Sequence, residues 1–320
     1  MPPGILQTKE ALFLISLLLL KQITQLFICI FLGWLLVRSK LLKPEDSRVL
    51  SVVALYVVTP CVIVNAFQIE SSPEMLRGLM LSLGTAVILH ALMLLLTALC
   101  RRPLRLNAVE QASLIYSNAG NLVIPLVTGI LGKDWVLFTS MFLVVQLPLL
   151  WSHGRILLSG ERTVSLRKIL LNVNILSILA GGLLFLLHVS LPSLVVNTMD
   201  SISGMYGPIS MIVTGMLMGG VDFRRVVANG RIWMVSFLRL IAFPLVVLCL
   251  LRIPGLASLA PNGETILLVS LLAAITPSAS AVTQIAQVYS PDGEYAGSIN
   301  VVTTLLCIVT MPIIIALYQL

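Results

Sequence analysis

The chain has 320 residues, of which 58% are hydrophobic and only 10% are charged, and its mean hydropathy is +1.05. Because a soluble globular protein carries about 25% charged residues, this composition excludes a soluble fold and predicts that lipid surrounds most of the chain. The net charge of +7 raises the question of an acidic partner, and the continuous apolar runs exclude the alternating strands of a β-barrel.

Short polar clusters divide the apolar sequence into ten predicted spans. A helix needs roughly 20 apolar residues to cross a bilayer, and backbone groups in hydrocarbon must be bonded within the segment. The first run continues past Leu20, and Lys9 before it is offset by Glu10, so we interpret it as a span and not as a signal peptide. The predicted fold is an all-α polytopic membrane protein with transmembrane helices at 13–37, 49–68, 76–99, 108–131, 134–158, 169–189, 202–220, 231–252, 264–288 and 296–318.

Basic residues are concentrated in alternate links between the spans. Fourteen of the 20 Lys and Arg residues follow odd-numbered spans, for example Arg101, Arg102 and Arg105 after the third. Because an excess of Lys and Arg marks cytoplasmic loops, both termini are predicted to lie on the non-cytoplasmic side. Topology and attraction to the lipid bilayer explain the positive charge, and no nucleic-acid partner is predicted.

Proline spacing relates the two halves of the chain. Three proline pairs lie at similar separations of 148, 151 and 152 residues: Pro60 and Pro208, Pro103 and Pro254, Pro125 and Pro277. An odd number of spans in each copy would place the second copy upside down, as in the inverted repeats of secondary transporters. The spacing therefore predicts a first five-helix repeat at 1–158, a cytoplasmic link at 159–168 and an inverted repeat at 169–320.

Spans 4 and 9 carry helix-breaking residues deep in apolar sequence. Pro125 and Pro277 are each expected to open their helix, because proline lacks a backbone donor and clashes with the preceding turn. The second half of each opened helix would present free N–H groups and a positive dipole end, which favour an anion. Ordinary kinks with hydrogen bonds between helices remain the alternative. Neighbouring residues expected to complete a substrate site are Asn118, Gly120, Asn121, Ser278 and Ser280.

At these residues the sequence resembles the auxin efflux carrier family, which includes plant PIN-type carriers and bacterial permeases. Its most specific parts are Asn118, with Pro125 seven residues later, and Gln146. The resemblance implies a 5+5 inverted repeat, a scaffold part that forms a homodimer, and a transport part in which spans 4 and 9 cross at their prolines. Other matching segments are Gly33-Trp34-Leu35-Leu36, Val58-Thr59-Pro60 and Met311-Pro312.

The resemblance also implies the substrate contacts and the kind of solute. Asn118 and Gln146 match contacts of the plant relatives, whereas Trp151 stands where the plant pattern has tyrosine. Residues 276–280 lack the plant proline-glutamine-glycine run, and only a short link near Ser159 replaces the long plant loop. Auxin is therefore not the expected substrate. The chain is more similar to permeases of the bacterial inner (plasma) membrane, for which a small mono- or dicarboxylate is implied.

The ionisable residues restrict the driving force. None of the 13 acidic residues lies at the centre of a predicted span, which argues against cation exchange through a midplane carboxylate. A membrane potential would supply about 2.3 kcal/mol per charge per 100 mV to a moving anion. His90 could sense protons or be structural, and Arg239 could contact the anion or snorkel to the interface. The five cysteines show no metal-ligand spacing, so neither a metal nor a cofactor is predicted.

The predicted function is a secondary transporter that carries a small organic anion by alternating access. A sodium-coupled organic-anion symporter of the bile-acid type is one alternative, and a membrane ligand sensor without flux is another. An enzyme with Ser117 or Ser280 as nucleophile and His90 as base has little support, because neither G-x-S-x-G nor H-E-x-x-H occurs. No enzymatic activity is predicted.

Overall fold

The computed structural model describes residues 9–68, 72–160, 167, 171, 173–290 and 292–319, which are helical almost throughout and contain no strand. A short helix spans Phe223–Ala228. The principal helices, in chain order, are α1 (Lys9–Arg38), α2 (Pro44–Ala66), α3 (Pro73–Arg101), α4a (Ala108–Ile115), α4b (Ala119–Ile130), α5 (Lys133–Ser159), α6 (Val173–Leu186), α7 (Ser193–Gly219), α8 (Gly230–Leu251), α9a (Gly263–Ile275), α9b (Ser280–Tyr289) and α10 (Gly293–Gln319).

Helix length and composition agree with a membrane protein. Within the described ranges, six helices are long and apolar enough to cross a bilayer, namely α2, α3, α5, α7, α8 and α10. The segment Thr24–Arg38 of α1, together with α4b, α6 and α9a, is apolar but shorter. Most of the link predicted at 159–168 lies outside the described residues. The prediction of a helical, multi-span chain is thus confirmed at this coarser level.

The helices pack into two groups. In the first, which we call the four-helix group, α1 packs along α7 and α2 packs on α6 and α7. In the second, the broken-helix group, α3 packs on α5, α9a lies against α3 and α5, and α10 lies against α8 and α9b. The groups meet where α1 contacts α4b and α10. Both interrupted helices belong to the broken-helix group, because α4a also packs on α3 and α10. Of the two, α4b contacts α1 and α7 of the four-helix group.

Glycine allows the backbones of α1 and α7 to approach closely. A Cβ atom at Gly33 would lie 2.1 Å from the carbonyl oxygen of Ile212, and one at Gly215 would lie 1.9 Å from that of Ile30. Small residues at such points are typical of membrane helix interfaces, where dispersion between backbones replaces the hydrophobic effect. The two glycines therefore set the spacing within the four-helix group.

Gly215→Ala is expected to lower the apparent Tm of the purified protein, because the obstacle is a carbonyl group in a packed helix that cannot rotate away. Overpacking of this kind costs about 1–3 kcal/mol. Thermal unfolding in detergent measures it. Gly84→Ala in α3 is the matched control, because a Cβ atom there meets nothing within 4 Å. Equal Tm values for the two variants would contradict the close packing of α1 on α7.

Wide π-helical turns come directly before three of the prolines. The turns Ala54–Val58, Ala119–Val123 and Leu238–Ala242 each end two residues before a proline, at Pro60, Pro125 and Pro244. A proline ring collides with the carbonyl group four residues earlier, which here lies inside the widened turn. Widening lets the helix continue through the proline without opening.

The prediction that Pro125 opens span 4 is therefore wrong. The helix is interrupted seven to nine residues earlier, at 116–118, whereas Pro277 does lie within the interruption of span 9 at 276–279. Pro60 and Pro208 do occupy similar local positions, since Pro60 lies in the first turn of Thr59–Ala66 within α2 and Pro208 lies in the first turn of Tyr206–Gly219 within α7. Only Pro103 and Pro254 both follow a helix end.

A buried carboxylate joins the beginnings of three helices in the broken-helix group. Glu110 of α4a is fully buried and accepts hydrogen bonds from Arg231 Nε of α8 at 2.6 Å and from Tyr295 Oη of α10 at 2.7 Å. Arg231 Nη2 donates to the second carboxylate oxygen of Glu110, which also accepts a hydrogen bond from the backbone N–H of Asn107 at 2.9 Å. This network fixes α4a, α8 and α10 relative to one another.

Candidate functional site

The two interrupted helices cross at a short antiparallel bridge between Ser117 and Ser278. The N–H of Asn118 donates to the carbonyl of Pro277 at 2.9 Å, and the N–H of Ala279 donates to the carbonyl of Tyr116 at 3.0 Å. Unpaired backbone groups are costly in an apolar interior. Each opened segment provides hydrogen-bond partners for backbone groups of the other. Neither interruption would be stable without its partner.

Gln146 of α5 holds the interruption of span 4. Its Oε1 accepts from the N–H of Ser117 at 3.1 Å and from the Ser117 hydroxyl at 2.7 Å, while its Nε2 donates to the Ser117 carbonyl at 2.9 Å. A side-chain amide offers one acceptor and a donor with the same spacing as a peptide group. Gln146 therefore acts on the opened backbone as a neighbouring strand would.

The interruption of span 9 is held from α10 in a similar way. Asn300 Nδ2 donates to the carbonyl of Ser278 at 2.6 Å, and the N–H of Ser278 donates to Thr303 Oγ1 at 3.3 Å. The sequence analysis did not identify either α10 residue. Both lie among several polar residues of α10, and nothing in the sequence distinguishes them from the others.

Arg239 closes one side of the crossing, where α4a and α9a end. Its side chain is 1% exposed, and it donates from Nη1 to the carbonyl of Leu114 at 2.8 Å. Nη2 donates to the carbonyl of Ala274 at 3.0 Å and Nε to that of Thr276 at 3.0 Å. Neither sequence interpretation of Arg239 matches this position: the side chain does not snorkel to the interface, and it does not line the cavity described next.

A cavity of about 100 Å³ lies on the opposite side of the crossing, where α4b and α9b begin. The first amides of α4b, those of Ala119, Gly120 and Asn121, have no hydrogen-bond partner in the described part of the chain. Such amides carry the positive end of the helix dipole. The crossing is thus polarised, with carbonyl groups toward Arg239 and amides toward the cavity.

The cavity collects some of the predicted site residues and leaves others out. Asn118, Gly120, Asn121 and Gln146 line it. The remaining predicted residues do not, namely Pro125, Trp151, Pro277, Ser278, Ser280, His90 and Arg239. Ser278 and Ser280 are close in sequence to the lining residues Ala279 and Ala281, but their hydroxyls are buried without a hydrogen-bond partner in the described ranges.

Asn118 is a polar side chain of the cavity that is available to a solute. It is 5% exposed, lines the cavity, and its amide makes no hydrogen bond with a described residue. Its own N–H is bonded to Pro277, so the backbone is fixed while the side chain is free to bind a solute. A ligand at this position would meet the Asn118 amide and the first amides of α4b together.

The opposite wall of the cavity comes from the four-helix group. Thr59 of α2, Asn174 of α6 and Tyr206 of α7 line it. Tyr206 Oη donates to Asn121 Oδ1 at 2.9 Å, and a Cβ atom at Gly120 would lie 2.9 Å from the same hydroxyl. Gly120 thus leaves room for the Tyr206 hydroxyl at the boundary of the two groups. The sequence analysis missed these wall residues, because isolated polar residues do not reveal which helix face they occupy.

His90 and Trp151 do not line the cavity. The Nδ1 atom of His90 is 2.7 Å from the carbonyl oxygen of Ala86, and the ring centroids of His90 and Phe142 lie 4.4 Å apart with the rings tilted by 45°. Trp151 is half-buried in a π-helical turn and packs against apolar residues of the core. His90 is buried beside Gln146, which does line the cavity.

A helical bundle in which two interrupted helices meet beside an internal cavity is the architecture of a membrane transporter. The sequence model of a family described as membrane transport protein matches residues 18–165 and 162–315, which together cover nearly all of the chain. The chain therefore belongs to this auxin efflux carrier-type family of multi-pass membrane transport proteins, and the resemblance seen in the sequence is confirmed. The family is one of transporters and not of enzymes. No curated protein matches the chain.

Proposed function

We propose that this protein is a secondary transporter that moves a small organic anion, a mono- or dicarboxylate, by alternating access. The observation that carries the proposal is the free Asn118 side chain in the cavity beside the unpaired amides of Ala119 and Gly120. Helix N-termini and side-chain amide donors favour carboxylate oxygens. Gln146 positions this arrangement through Ser117.

The lining of the cavity supports an anionic solute of small size. None of the described lining residues is acidic, so no fixed negative charge would repel a carboxylate there. The volume of about 100 Å³ is well below the roughly 300–1,000 Å³ of pockets for drug-sized ligands. A solute of a few carbon atoms fits these dimensions better than an aromatic hormone.

Alternating access would arise from movement between the two helix groups. The cavity lies between them, with Asn118 on one side and Thr59 and Asn174 on the other. The hydrogen bond from Tyr206 to Asn121 crosses this boundary. Rocking of one group past the other would break that bond and open the cavity to the opposite side, as in other transporters with broken helices.

The proposal includes the ten-span inverted repeat with halves at 1–158 and 169–320. The order of elements supports it, since the fourth helix of each half is interrupted. The contacts of loop residues support the predicted sides: Glu110, Arg231 and Tyr295, all predicted cytoplasmic, meet one another, and Lys133 pairs with Asp200 at the predicted outer side.

We further propose that the protein forms a homodimer in a bacterial inner membrane. Cross-linking in membranes would test this oligomeric state.

A thermal-shift screen with organic acids tests the binding site. A ligand that prefers the folded protein raises its apparent stability. We expect small mono- or dicarboxylates to raise the Tm of the detergent-purified protein, and the neutral amides of the same acids to leave it unchanged. Equal stabilisation by acid and amide would contradict an anion site.

One observation favours the sodium-coupled alternative. Several buried oxygen atoms on α9b and α10 have no hydrogen-bond partner among the described residues, including Ser280 Oγ, Thr283 Oγ1, Asn300 Oδ1 and Thr304 Oγ1. Hydroxyl and amide oxygens are ligands for hard cations. No group of three or more His, Cys, Asp or Glu side chains suited to a metal occurs among the described residues. Uptake measured with sodium replaced by N-methylglucamine distinguishes a sodium-coupled symporter from a transporter that needs no sodium. Sodium dependence would favour the symporter.

A further inference from the structure

We propose that Arg239 is a tethered cation that takes the place of a coupling ion at the crossing of the two interrupted helices. The proposal rests on the transport function proposed above. In this proposal Arg239 holds the substrate site in position and makes a coupling ion unnecessary. It does not contact the solute directly.

The position of the guanidinium group is that of a cation site. Its three nitrogen atoms bind the carbonyl oxygens of Leu114 at the end of α4a and of Ala274 and Thr276 at the end of α9a. Carbonyl groups at helix C-termini carry the negative end of the dipole. In transporters with broken helices, such carbonyl groups and unwound segments coordinate the coupling cation. Here the guanidinium group of Arg239, on α8, binds these carbonyl oxygens in place of an ion.

The charge balance at this point supports the same assignment. No carboxylate lies within 4 Å of Arg239 in the part of the chain that the structure describes, so the two helix ends are its counter-charge. A cation this deep in a membrane protein is costly and is retained where it pairs with backbone or charge. The surrounding π-helical turn, Leu238–Ala242, presents the side chain to the crossing.

Two consequences follow from a permanent cation. First, the crossing needs no sodium or potassium ion to hold α4a and α9a together, so transport is independent of external alkali cations. Secondly, removal of the side chain leaves three carbonyl groups around a cavity of guanidinium shape. A free guanidinium ion should then bind there and restore part of the stability and of the transport rate that the variant has lost.

The first arm of the test measures stability and needs no substrate. Arg239→Ala is expected to lower the apparent Tm by roughly 5 °C or more, because three buried acceptors lose their donor. Low-millimolar guanidinium, too dilute to denature, should recover at least half of that loss. Leu240→Ala, which removes a buried side chain from the same turn, should lose stability without recovery. Arg239→Met, which fills the space, should not recover either.

The second arm measures uptake in proteoliposomes. Wild-type uptake should be the same in sodium, potassium or N-methylglucamine buffer, and Arg239→Ala should lose at least about tenfold in rate and regain part of it with guanidinium. An unchanged Tm for Arg239→Ala, guanidinium recovery equal to that of Leu240→Ala, or wild-type dependence on sodium would overturn the proposal. If the wild type transports no organic anion, the proposed function fails, while the stability arm still decides whether Arg239 is a cation held by the crossing.

Discussion

Asn118→Asp is expected to abolish uptake of the organic anion, and Asn118→Ala to reduce kcat/KM by roughly 10- to 100-fold. The alanine variant removes a hydrogen bond to a charged group, worth about 1.5–3 kcal/mol. The aspartate variant keeps the shape of the side chain and places a negative charge where the carboxylate would bind, so its loss should be larger. Initial rates of uptake in proteoliposomes measure both.

Asn197→Asp is the matched control for the Asn118 variants. It makes the same chemical change at an exposed position of α7, away from the cavity, and should leave uptake unchanged. The apparent Tm of each variant separates a defect of binding from a defect of folding. Normal uptake by Asn118→Asp would contradict the assignment of the anion to this cavity.

Glu110→Gln is expected to cause a large loss of stability. Glu110 is fully buried and bonded to Arg231, Tyr295 and the backbone of Asn107. Removal of its charge leaves Arg231 without a counter-ion, although the 45% exposure of the Arg231 side chain lets water compensate part of this. We expect a loss of about 2–4 kcal/mol, seen as a fall in Tm of several degrees.

The exposed ion pair on the opposite side of the protein is the control for Glu110. Asp200 and Lys133 lie 3.0 Å apart, with side chains 35% and 70% exposed. Exposed pairs contribute up to about 1 kcal/mol, so Asp200→Asn should change the Tm little. Equal effects of Glu110→Gln and Asp200→Asn would show that the buried network does not hold α4a, α8 and α10 together.

Hydropathy was sufficient to predict the helical membrane bundle, because apolar runs of this length have few other solutions in lipid. The place of the interruptions was harder to predict. Pro277 lies in its interruption, whereas Pro125 is accommodated by the widened turn Ala119–Val123. Whether a helix opens or widens at a proline depends on the groups that can replace the lost backbone bonds, and for span 4 that group is Gln146.

The candidate site was also predictable only in part, because the sequence shows local runs of residues and not the contacts between distant helices. The sequence indicated Asn118, Gly120 and Asn121, because a run of small and polar residues stands out in an apolar span. It could not indicate the role of Arg239, whose acceptors are backbone carbonyls 35, 37 and 125 residues away. Tyr206 was missed for a related reason, since its contact with Asn121 joins two helices that are distant in sequence.

The central claim is that this protein carries a small organic anion through the cavity beside Asn118. Uptake of a radiolabelled carboxylate, chosen from the thermal-shift screen, into liposomes that contain only the purified protein tests it most directly. We expect saturable uptake that increases when the interior is made electrically positive and that Asn118→Asp abolishes. Binding of the carboxylate without saturable uptake, at either sign of membrane potential, would contradict the claim and indicate a ligand sensor.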